Sequence, residues 1–288
     1  MENILEIKIN NKSYPEFLKK ISDAPQFLYC KGNSGILKNL CIGVVGTRKP
    51  SDYGKQVTLK ITGELADSGL TIVSGMAPGI DTFAHEICTE KGAPTIAVLG
   101  TGVDEKSIYP QINLNLSREI IKTGGCLISE FKPGTPGYPN NFRQRNRIIS
   151  ALSLGVLVIE AKEKSGSLIT AQFAKRQHKK LFAIPGPIYA LNSKGPNKLI
   201  KEGATLTESA KDILDVLEIA SQKIYQKFPV AKNTQEQLIF DALKQEALYI
   251  DKIIEKTKLN PSTIATLLAL MEISGKIRNL GGNTYSLN

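Results

Sequence analysis

Three arginines stand within five positions of residues 141–153, which read NFRQRNRIISALS. The first half of this stretch is strongly polar and the second half is apolar. No Asp or Glu occurs between Glu130 and Glu160, so no acid nearby in sequence neutralises the arginines. Guanidinium groups present a fork of N–H donors that suits phosphate and carboxylate groups. The stretch therefore predicts an anion site, and its candidate residues are Phe142, Arg143, Arg145, Asn146 and Arg147.

The charge of the whole chain has the same sign as this cluster and is unevenly distributed. The 288 residues include 37 Lys and Arg against 27 Asp and Glu, a formal net charge of +10. Residues 234–288 hold six basic and six acidic residues, so the entire surplus lies in residues 1–233. A basic surplus of this size favours a polyanionic partner. The first part of the chain carries the charge for that partner.

Short apolar, β-branched runs alternate with helical stretches ahead of residue 220. Runs that are apolar throughout are typical of parallel strands that helices cover on both faces. Alternating strands and helices with right-handed crossovers predict an α/β fold, a doubly wound, Rossmann-like and mainly parallel sheet. The predicted strands are 40–46, 70–75, 95–100, 125–130, 155–161 and 180–186, and the predicted helices are 53–69, 80–92, 112–125 and 167–180.

Turns rich in Gly and Ser follow four of the predicted strands, at 46–51, 74–81, 160–171 and 185–187. Ligands of doubly wound sheets bind at the carboxyl ends of the strands. Such turns leave backbone N–H groups free to face an anion, and the helix N-termini that follow add partial positive charge. Each glycine alone could equally be required by the backbone geometry of its turn. Four such turns on one edge of the sheet nevertheless favour an anion site. The candidate residues in these turns are Gly46, Thr47, Arg48, Ser51, Gly75, Ser165, Gly166 and Ser167.

Several motifs of nucleotide-dependent and hydrolytic enzymes are missing from the sequence. It contains neither the G-x-x-x-x-G-K-[ST] loop nor the dinucleotide pattern G-x-G-x-x-G, and neither H-E-x-x-H nor the G-x-S-x-G elbow. His85 lies in a helical stretch and is expected to be a hydrogen-bonding helix residue. Because no nucleophile is predicted beside a base, we expect this edge of the sheet to bind phosphate rather than to break a bond. We expect no cofactor.

Cysteine usage and the N-terminal residues bear on the cellular compartment. The four cysteines are scattered, form no C-x-x-C pair and are accompanied by only two histidines, so we expect buried free thiols and no metal site. The first ten residues, MENILEIKIN, are too charged for a signal peptide, and no apolar run approaches membrane length. We therefore expect a cytoplasmic protein without a membrane partner.

Four motifs, in this order along the chain, resemble those of the DprA family, also called Smf, the DNA-processing proteins of natural transformation. Residues 14–33 also resemble the family's lead-in to its first strand, and the resemblance spans residues 14 to about 217. The four motifs are GTRKPSDYG (46–54), SGMAPGIDTFAH (74–85), FRQRNRIISALS (142–153) and EAKEKSGSLITA (160–171).

The resemblance implies a protein that is not an enzyme. Members bind single-stranded DNA with a Rossmann-type domain, usually as homodimers, protect incoming DNA and help to load the RecA recombinase onto it. Carried over by position, Arg48 and residues 142–147 fall where the family lines its basic DNA pocket. Phe142 beside the arginines supplies both an aromatic face and cations, the two elements that hold single strands.

Three departures from the family pattern stand in this sequence. A small helical domain often precedes the sheet in the family, and no room for one exists before Tyr14, which puts its regulatory or dimerising role in doubt. Arg143 replaces the Pro of the common F-P-x-R-N-R pattern, and Thr47 replaces a Ser. On a helix, positions 143 and 147 share a face and 145 does not, so not all three arginines are expected to reach one run of phosphates. Arg145 or Arg147 would then brace the site through backbone carbonyls or an acid from elsewhere.

The last 55 residues predict a second module of three helices, 234–246, 249–259 and 260–275, and a hairpin, 276–288. Thr234 and Asn260 are candidate N-caps. Three helices and a hairpin predict a winged helix, a domain with which the resembled family often ends. Its third helix carries no Lys or Arg, which favours a protein-contact or dimer-support role over duplex readout, although Lys276 and Arg278 on the wing leave a weak DNA option open.

The main alternative is an enzyme similar to the nucleoside-monophosphate phosphoribohydrolases, which also hold phosphate at a Rossmann edge. Those enzymes carry a catalytic Glu in P-G-G-x-G-T-x-x-E, whereas the comparable turn here, SGSLITA, is followed by no acid at that spacing. The sequence thus favours a DNA binder. Its predicted segments are a lead-in packed on the sheet (1–39), a Rossmann-like DNA-binding domain (40–219), a linker (220–233) and a winged-helix domain (234–288).

Overall fold

The computed structural model describes residues 3–219, 233–243, 246–274 and 276–287. The chain divides into two compact units, residues 1–225 and 226–288. Except for Asn233, the predicted linker at 220–233 lies outside the described residues.

One nine-stranded sheet forms the centre of the first unit. The six predicted strands are confirmed as β3 to β8, each slightly shorter than its apolar run because the run continued into a turn. Strands β3 to β9 are parallel to one another. The strands are β1 (Ile4–Lys8), β2 (Phe27–Gly32), β3 (Cys41–Val45), β4 (Thr71–Ser74), β5 (Thr95–Val98), β6 (Cys126–Ser129), β7 (Gly155–Val158), β8 (Lys180–Ala183) and β9 (Thr205–Leu206), in the spatial order β1-β2-β6-β5-β4-β3-β7-β8-β9.

The lead-in agrees only in part with its prediction. Residues 1–39 are expected to pack on the sheet, and Tyr14 and Leu18 do so. Strands β1 and β2 instead extend the sheet itself, with β2 antiparallel to β6 and β1 antiparallel to β2. In β1 only Ile7 is buried, so this edge strand lacks the apolar run that marked the central strands. A one-sided strand of this kind escapes a search for runs that are apolar on both faces.

Helices cover both faces of the sheet, which confirms the doubly wound α/β class. Apolar side chains of α2, α3, α4 and α8 pack on one face, and those of α1, α5, α6 and α7 pack on the other. Four of these helices, α1, α5, α7 and α8, are not among the predicted ones. Helix α7 contains the adjacent Gly195 and Pro196, which ordinarily mark a turn. The helices are α1 (Glu16–Lys19), α2 (Asp52–Asp67), α3 (Ile80–Glu90), α4 (Leu114–Lys122), α5 (Pro139–Leu152), α6 (Gly166–Arg176), α7 (Lys194–Lys201) and α8 (Ala210–Val216).

The strand order reverses direction between two central neighbours, β3 and β7. From β3 the chain proceeds through β4 and β5 to β6 on one side, and after α5 it continues from β7 to β8 and β9 on the other. The connections diverge at such a point and leave a crevice outside the carboxyl ends of the strands. The fold therefore opens a binding site between the turns that follow β3 and β7.

The second unit has three helices and a three-stranded sheet, which confirms the predicted winged helix. Asn260 is confirmed as an N-cap, since its Oδ1 accepts from the N–H of Ser262 at 3.0 Å. The other predicted N-cap is wrong: Thr234 is already helical, and Asn233 accepts from the N–H of Glu236 at 2.8 Å. The elements are α9 (Thr234–Leu243), β10 (Leu248–Tyr249), α10 (Ile250–Thr257), α11 (Pro261–Ile273), β11 (Ile277–Asn279) and β12 (Thr284–Leu287).

Two general expectations can be compared with the described residues. All four cysteines are buried and free, as the sequence predicts. Among the helices that the structure describes, none combines the length and the apolar character needed to cross a membrane.

His85 is a fully buried residue of α3. Thr95 donates its hydroxyl hydrogen to the carbonyl of Ile72, so its Oγ1 accepts from Nδ1–H of His85 at 2.9 Å. This confirms the expected hydrogen-bonding helix residue. Burial, together with the positive charge of Arg145, lowers the pKa of His85 to about 3. The imidazole is therefore neutral in the folded protein at any pH near neutrality.

We predict that His85 makes the protein less stable as the pH falls below about 6.5. The unfolded chain takes up a proton on this residue below its ordinary pKa, while the folded chain does not until about 3. The contribution of His85 to the free energy of unfolding is therefore fully present above pH 6.5, and it falls by about 1.4 kcal/mol per pH unit below that pH. Urea unfolding at several pH values should show a flatter dependence for His85→Gln than for the wild type; two parallel curves would contradict this assignment.

Candidate functional site

A groove of about 960 Å³ opens at the carboxyl ends of the strands where the strand order reverses. It is bounded by the turns after β3 and β4, the loop after β7 with the start of α6, and the first half of α5. Nine of the thirteen residues predicted for the site line this groove. They are Gly46, Arg48, Phe142, Arg143, Arg145, Asn146, Ser165, Gly166 and Ser167.

Arg145 lies at the floor of the groove and is almost completely buried. Its Nη1 donates to the carbonyl oxygen of Gly75 at 2.7 Å and to that of Val98, just after β4 and at the end of β5. Burial lowers the pKa of Arg145 to about 10, which leaves the guanidinium charged at neutral pH. Arg145 thus supplies positive charge below the groove while its hydrogen bonds connect two strand ends, the bracing role that the sequence left open.

Gly75 does not line the groove, because the guanidinium of Arg145 covers it. A Cβ atom at Gly75 would lie 2.6 Å from Nη2 of Arg145, closer than any carbon normally approaches a side-chain nitrogen. The backbone N–H of Gly75 donates to Oδ2 of Asp81 at 3.1 Å. The sequence predicts Gly75 as a site residue because it lies in a glycine-rich turn. In the structure the residue has to be glycine because the turn accommodates the side chain of Arg145 from α5.

Asp81 is a buried carboxylate close to the floor, and the sequence reasoning did not identify it. Its Oδ2 accepts from the N–H groups of Gly75 and Ala77, at 3.1 and 3.4 Å. Burial raises the pKa of Asp81, and the charge of Arg145 acts in the opposite direction. An acid in the first turn of a helix is common, so Asp81 gives little signal in the sequence.

Arg147 lies outside the groove and forms ion pairs with two acids. Its Nη1 and Nη2 donate to the two carboxylate oxygens of Glu130 at 2.6 and 2.8 Å, and Nε lies 3.0 Å from Oδ2 of Asp23. Arg147 also donates to the carbonyl oxygen of Asp23. The arginine stretch is therefore not free of acids, since Glu130, which bounds it in sequence, folds back onto it. Arg143 and Arg147, expected on one helix face, differ in surroundings: Arg143 is exposed and Arg147 is buried.

A buried carboxylate, Glu160, shapes the turn that carries Arg48. Oε2 of Glu160 accepts from the backbone N–H of Ser51 at 2.9 Å, and Oε1 accepts from its hydroxyl at 2.5 Å. The backbone N–H of Thr47 donates to the carbonyl oxygen of Glu160 at 2.7 Å. Thr47 and Ser51, both predicted as site residues, do not line the groove and instead fix this turn, while Arg48 itself is exposed.

The start of α6 forms the opposite wall. Ser165 is its N-cap and shares a hydrogen bond of 2.8 Å with the hydroxyl of Ser167. Nδ2 of Asn146 donates to the carbonyl oxygen of Gly166 at 3.3 Å, which connects α5 to this wall. The positive end of a helix of eleven residues thus borders the groove, as the sequence predicts.

Phe142 and Tyr109 form an aromatic pair at the rim. Their ring centroids are 5.4 Å apart and the ring planes are inclined by 38°. The ring of Phe142 lies against two glycines: a Cβ would approach it to 2.7 Å at Gly100 and to 2.8 Å at Gly137. Sequence reasoning identified neither Tyr109 nor these glycines, because they come from loops far apart in sequence that carry no periodic pattern.

Several cations of the groove remain unneutralised. Within the described residues, no ion pair involves Arg48, Arg143 or Lys164, and all three are exposed. Lys198 lies 3.9 Å from Glu202, at the limit of an ion pair. The groove can therefore bind an anion with exposed guanidinium and ammonium groups above a buried one.

Comparison with known sequences identifies the family. A sequence model described as "DNA recombination-mediator protein A" matches residues 6–218. The DNA processing protein DprA of Bacillus subtilis is 44% identical over 217 residues, which cover 75% of this chain and 72% of the relative. The chain belongs to the DprA family. DprA of Streptococcus pneumoniae is 44% identical over 201 residues, 70% of each chain, and Protein Smf of Escherichia coli is 41% identical over 212 residues, 74% of this chain and 56% of the relative.

Solved structures of DprA proteins share the fold. The X-ray structure of DprA from Streptococcus pneumoniae superposes with a TM-score of 0.69 at 40% identity, covering 74% of each chain. The structure of Helicobacter pylori DprA, determined for its single-stranded DNA binding mode, gives 0.67 at 32% identity, covering 75% of this chain and 96% of that one. A second model, "DprA winged helix domain", matches residues 229–283. The resemblance stated from the motifs is thereby confirmed, including the C-terminal domain.

We predict that Arg147→Ala lowers the free energy of unfolding by about 3–5 kcal/mol, because it leaves Glu130 buried without its cation. Arg143→Ala is the matched control, since its side chain is exposed and pairs with no described acid, and should change stability by less than about 0.5 kcal/mol. Urea unfolding measures both. Equal stabilities of the two variants would show that the Arg147 pair is not structural.

Proposed function

We propose that the groove binds single-stranded DNA and that the protein acts on DNA without cleaving it. The observation that carries this proposal is the combination of unpaired cations, Arg48 and Arg143, with the exposed edge of an aromatic pair, Phe142 and Tyr109, in one open groove. Single strands are bound by basic side chains along the backbone and by aromatic faces under the bases.

The phosphate contacts would come from side chains on both walls. Arg48 lies in the turn after β3, Arg143 on α5 and Lys164 before α6, so the three cations surround the groove rather than forming one row. The N-terminus of α6 adds its partial positive charge. A flexible polyanion can contact the cations of both walls, whereas a small ligand with one carboxylate group would contact only one wall.

The proposal of binding without chemistry is supported by the state of the nearby acids. Asp81 is buried and bound to two backbone N–H groups, and the carboxylate of Glu160 accepts from Ser51 and Asn192. The turn at 165–167 carries serines and a glycine where the phosphoribohydrolases carry a catalytic motif. The carboxylates of Glu163 and Glu202 line the groove outside this turn, and it is the absence of an acid at the spacing of the enzyme motif that weighs against that enzyme.

Family membership supports a wider proposal. We infer that the protein protects incoming single-stranded DNA, helps to load RecA onto it during transformation and recombination, and works as a homodimer. The structure of the relative from Helicobacter pylori concerns single-stranded DNA binding and covers 75% of this chain.

The second unit is proposed to have a role other than DNA readout. Helix α11 carries no Lys or Arg. Lys276, one of the two cations of the wing, is paired with Glu236 at 2.6 Å and is mostly buried, so Arg278 is the exposed cation that remains there. With so little positive charge the electrostatic part of DNA affinity would be weak.

We predict that Arg48→Ala weakens binding of a labelled oligothymidine by about 2 kcal/mol, roughly thirtyfold, since it removes a charged hydrogen bond to phosphate. The slope of log K against log salt should become shallower by about 0.7. Phe142→Ala should cost about 1–3 kcal/mol and leave the slope unchanged, because stacking releases no counterions. Fluorescence anisotropy at several salt concentrations measures both quantities.

Two controls accompany this measurement. Arg176→Ala removes an exposed arginine at the far end of α6 and should leave affinity unchanged. A chain ending at residue 219 should bind nearly as well as the full chain. If truncation abolished binding while Arg48→Ala had no effect, the DNA site would lie in the second unit; hydrolysis of a nucleoside monophosphate would favour the enzyme instead.

The mediator role predicts faster RecA filament formation on DNA coated with single-strand binding protein. The reaction should depend on Arg48, because the DNA has to be held while RecA arrives, and Arg176→Ala should behave as wild type. Light scattering of the protein alone should give twice the chain mass of 31.4 kDa. A monomer mass at high concentration, or RecA loading that ignores the protein, would contradict this part of the proposal.

A further inference from the structure

A second cavity, of about 380 Å³, lies beside the groove and shares Tyr109 and Gly137 with it. Its remaining walls are formed by Asp104, Lys106, Ser107, Ile108, Gln111, Gly134 and Pro136. This volume is within the range of small-ligand sites, and the shared residues place the two cavities side by side. An occupant of the groove can therefore extend into the second cavity without leaving the surface.

Tyr109 forms the boundary between the two cavities. Half of its side chain is exposed although the ring packs against Phe142 at 5.4 Å. Phe142 lines only the larger cavity, whereas Tyr109 lines both. The aromatic surface therefore continues past Phe142, and its second half serves the smaller cavity.

Charged side chains of both signs, Asp104 and Lys106, line the smaller cavity. Oδ1 of Asp104 accepts from the N–H of Gly134 at 2.6 Å, and Oδ2 accepts from the hydroxyl of Ser107 at 2.9 Å. Glu105 pairs with Arg118 at 2.9 Å. Lys106 is exposed and belongs to no ion pair among the described residues. Asp104 keeps its negative charge, because both of its donors are neutral, but its oxygens are held by the loop and the ammonium group of Lys106 remains for an anion.

We propose that the smaller cavity holds the nucleotide adjacent to the one on Phe142, with the base on Tyr109 and its phosphate near Lys106. This inference rests on the proposed function and extends it by one subsite. The occupant is one continuous single strand, because its bases are free to lie on successive aromatic rings, whereas the bases of a duplex are paired inside it. An aromatic face beside an unpaired cation is the same combination that marks the larger cavity.

The test is a length series of labelled oligothymidines bound to the full-length protein. Affinity of the wild type should rise by a step when the oligomer becomes long enough to pass Phe142 and reach the smaller cavity. Tyr109→Ala should remove this step, an effect of at least about fivefold for the longer oligomers beyond any loss that it causes for the shortest ones. Tyr109→Phe, which keeps the ring, should keep the step. Lys106→Ala should make the salt slope shallower by about 0.7 for the longer oligomers alone.

Three results would overturn the inference. Tyr109→Ala could bind every length as the wild type does, or it could lose the same factor at every length, which would mean that Tyr109 only supports Phe142. Cross-linking of an oligomer containing 5-iodouracil could also leave the peptide with Tyr109 unlabelled while labelling the peptide with Phe142.

The series separates this inference from the proposed function. If the wild type binds oligothymidine and Phe142→Ala weakens it at all lengths, the groove binds DNA, and the behaviour of Tyr109→Ala decides the subsite alone. If the wild type binds no oligomer, the proposed function fails and the subsite fails with it. Thermal melting of each variant excludes unfolding as the cause, since Tyr109 is half exposed and its replacement should leave the melting temperature close to that of the wild type.

Discussion

The buried guanidinium of Arg145 holds together the parts that form the groove. It donates to the carbonyl oxygens of Gly75 and Val98, where two adjacent strands end. Buried carbonyls without a donor cost about 1–3 kcal/mol each, so α5 has to approach the sheet at this residue. The helical turn just before it then brings Phe142 and Arg143 to the rim. One contact between a helix and two strand ends therefore determines where the exposed aromatic and cationic groups lie.

The three arginines of one short stretch have three different roles because α5 runs from the rim of the groove into the core. Arg143, in the first turns, is exposed and unpaired. Arg145 lies under the floor, and Arg147 faces the lead-in segment, where it meets Glu130 and Asp23. Residue type alone suggested one anion site for all of them. The depth at which each guanidinium lies decides whether it binds a ligand or the protein itself.

Much of the fold followed from the sequence because buried parallel strands have a strong local pattern. Residues 40–46 and 155–161 are apolar on both faces, and the structure has strands in both places. The edge strand β1 and helix α7 were missed because the first is buried on one side and the second contains Gly195 and Pro196. In the site, turns with glycine were found by their composition. The pairing of Glu130 with Arg147 and of Tyr109 with Phe142 joins segments that only the folded chain brings together, and no local signal marks such pairs.

The distribution of acids around the groove connects the fold to the proposed binding. A polyanion site needs cations that no carboxylate neutralises, yet the turns that carry those cations must themselves be held. Here Glu160 holds the turn of Arg48 by accepting from Ser51. Asp81 holds the floor through backbone N–H groups. These carboxylates stabilise the loops through neutral donors and so leave Arg48 and Arg143 unpaired. A carboxylate bound in this way is also poorly placed to exchange protons with a substrate, so the same arrangement favours holding a strand over cutting it.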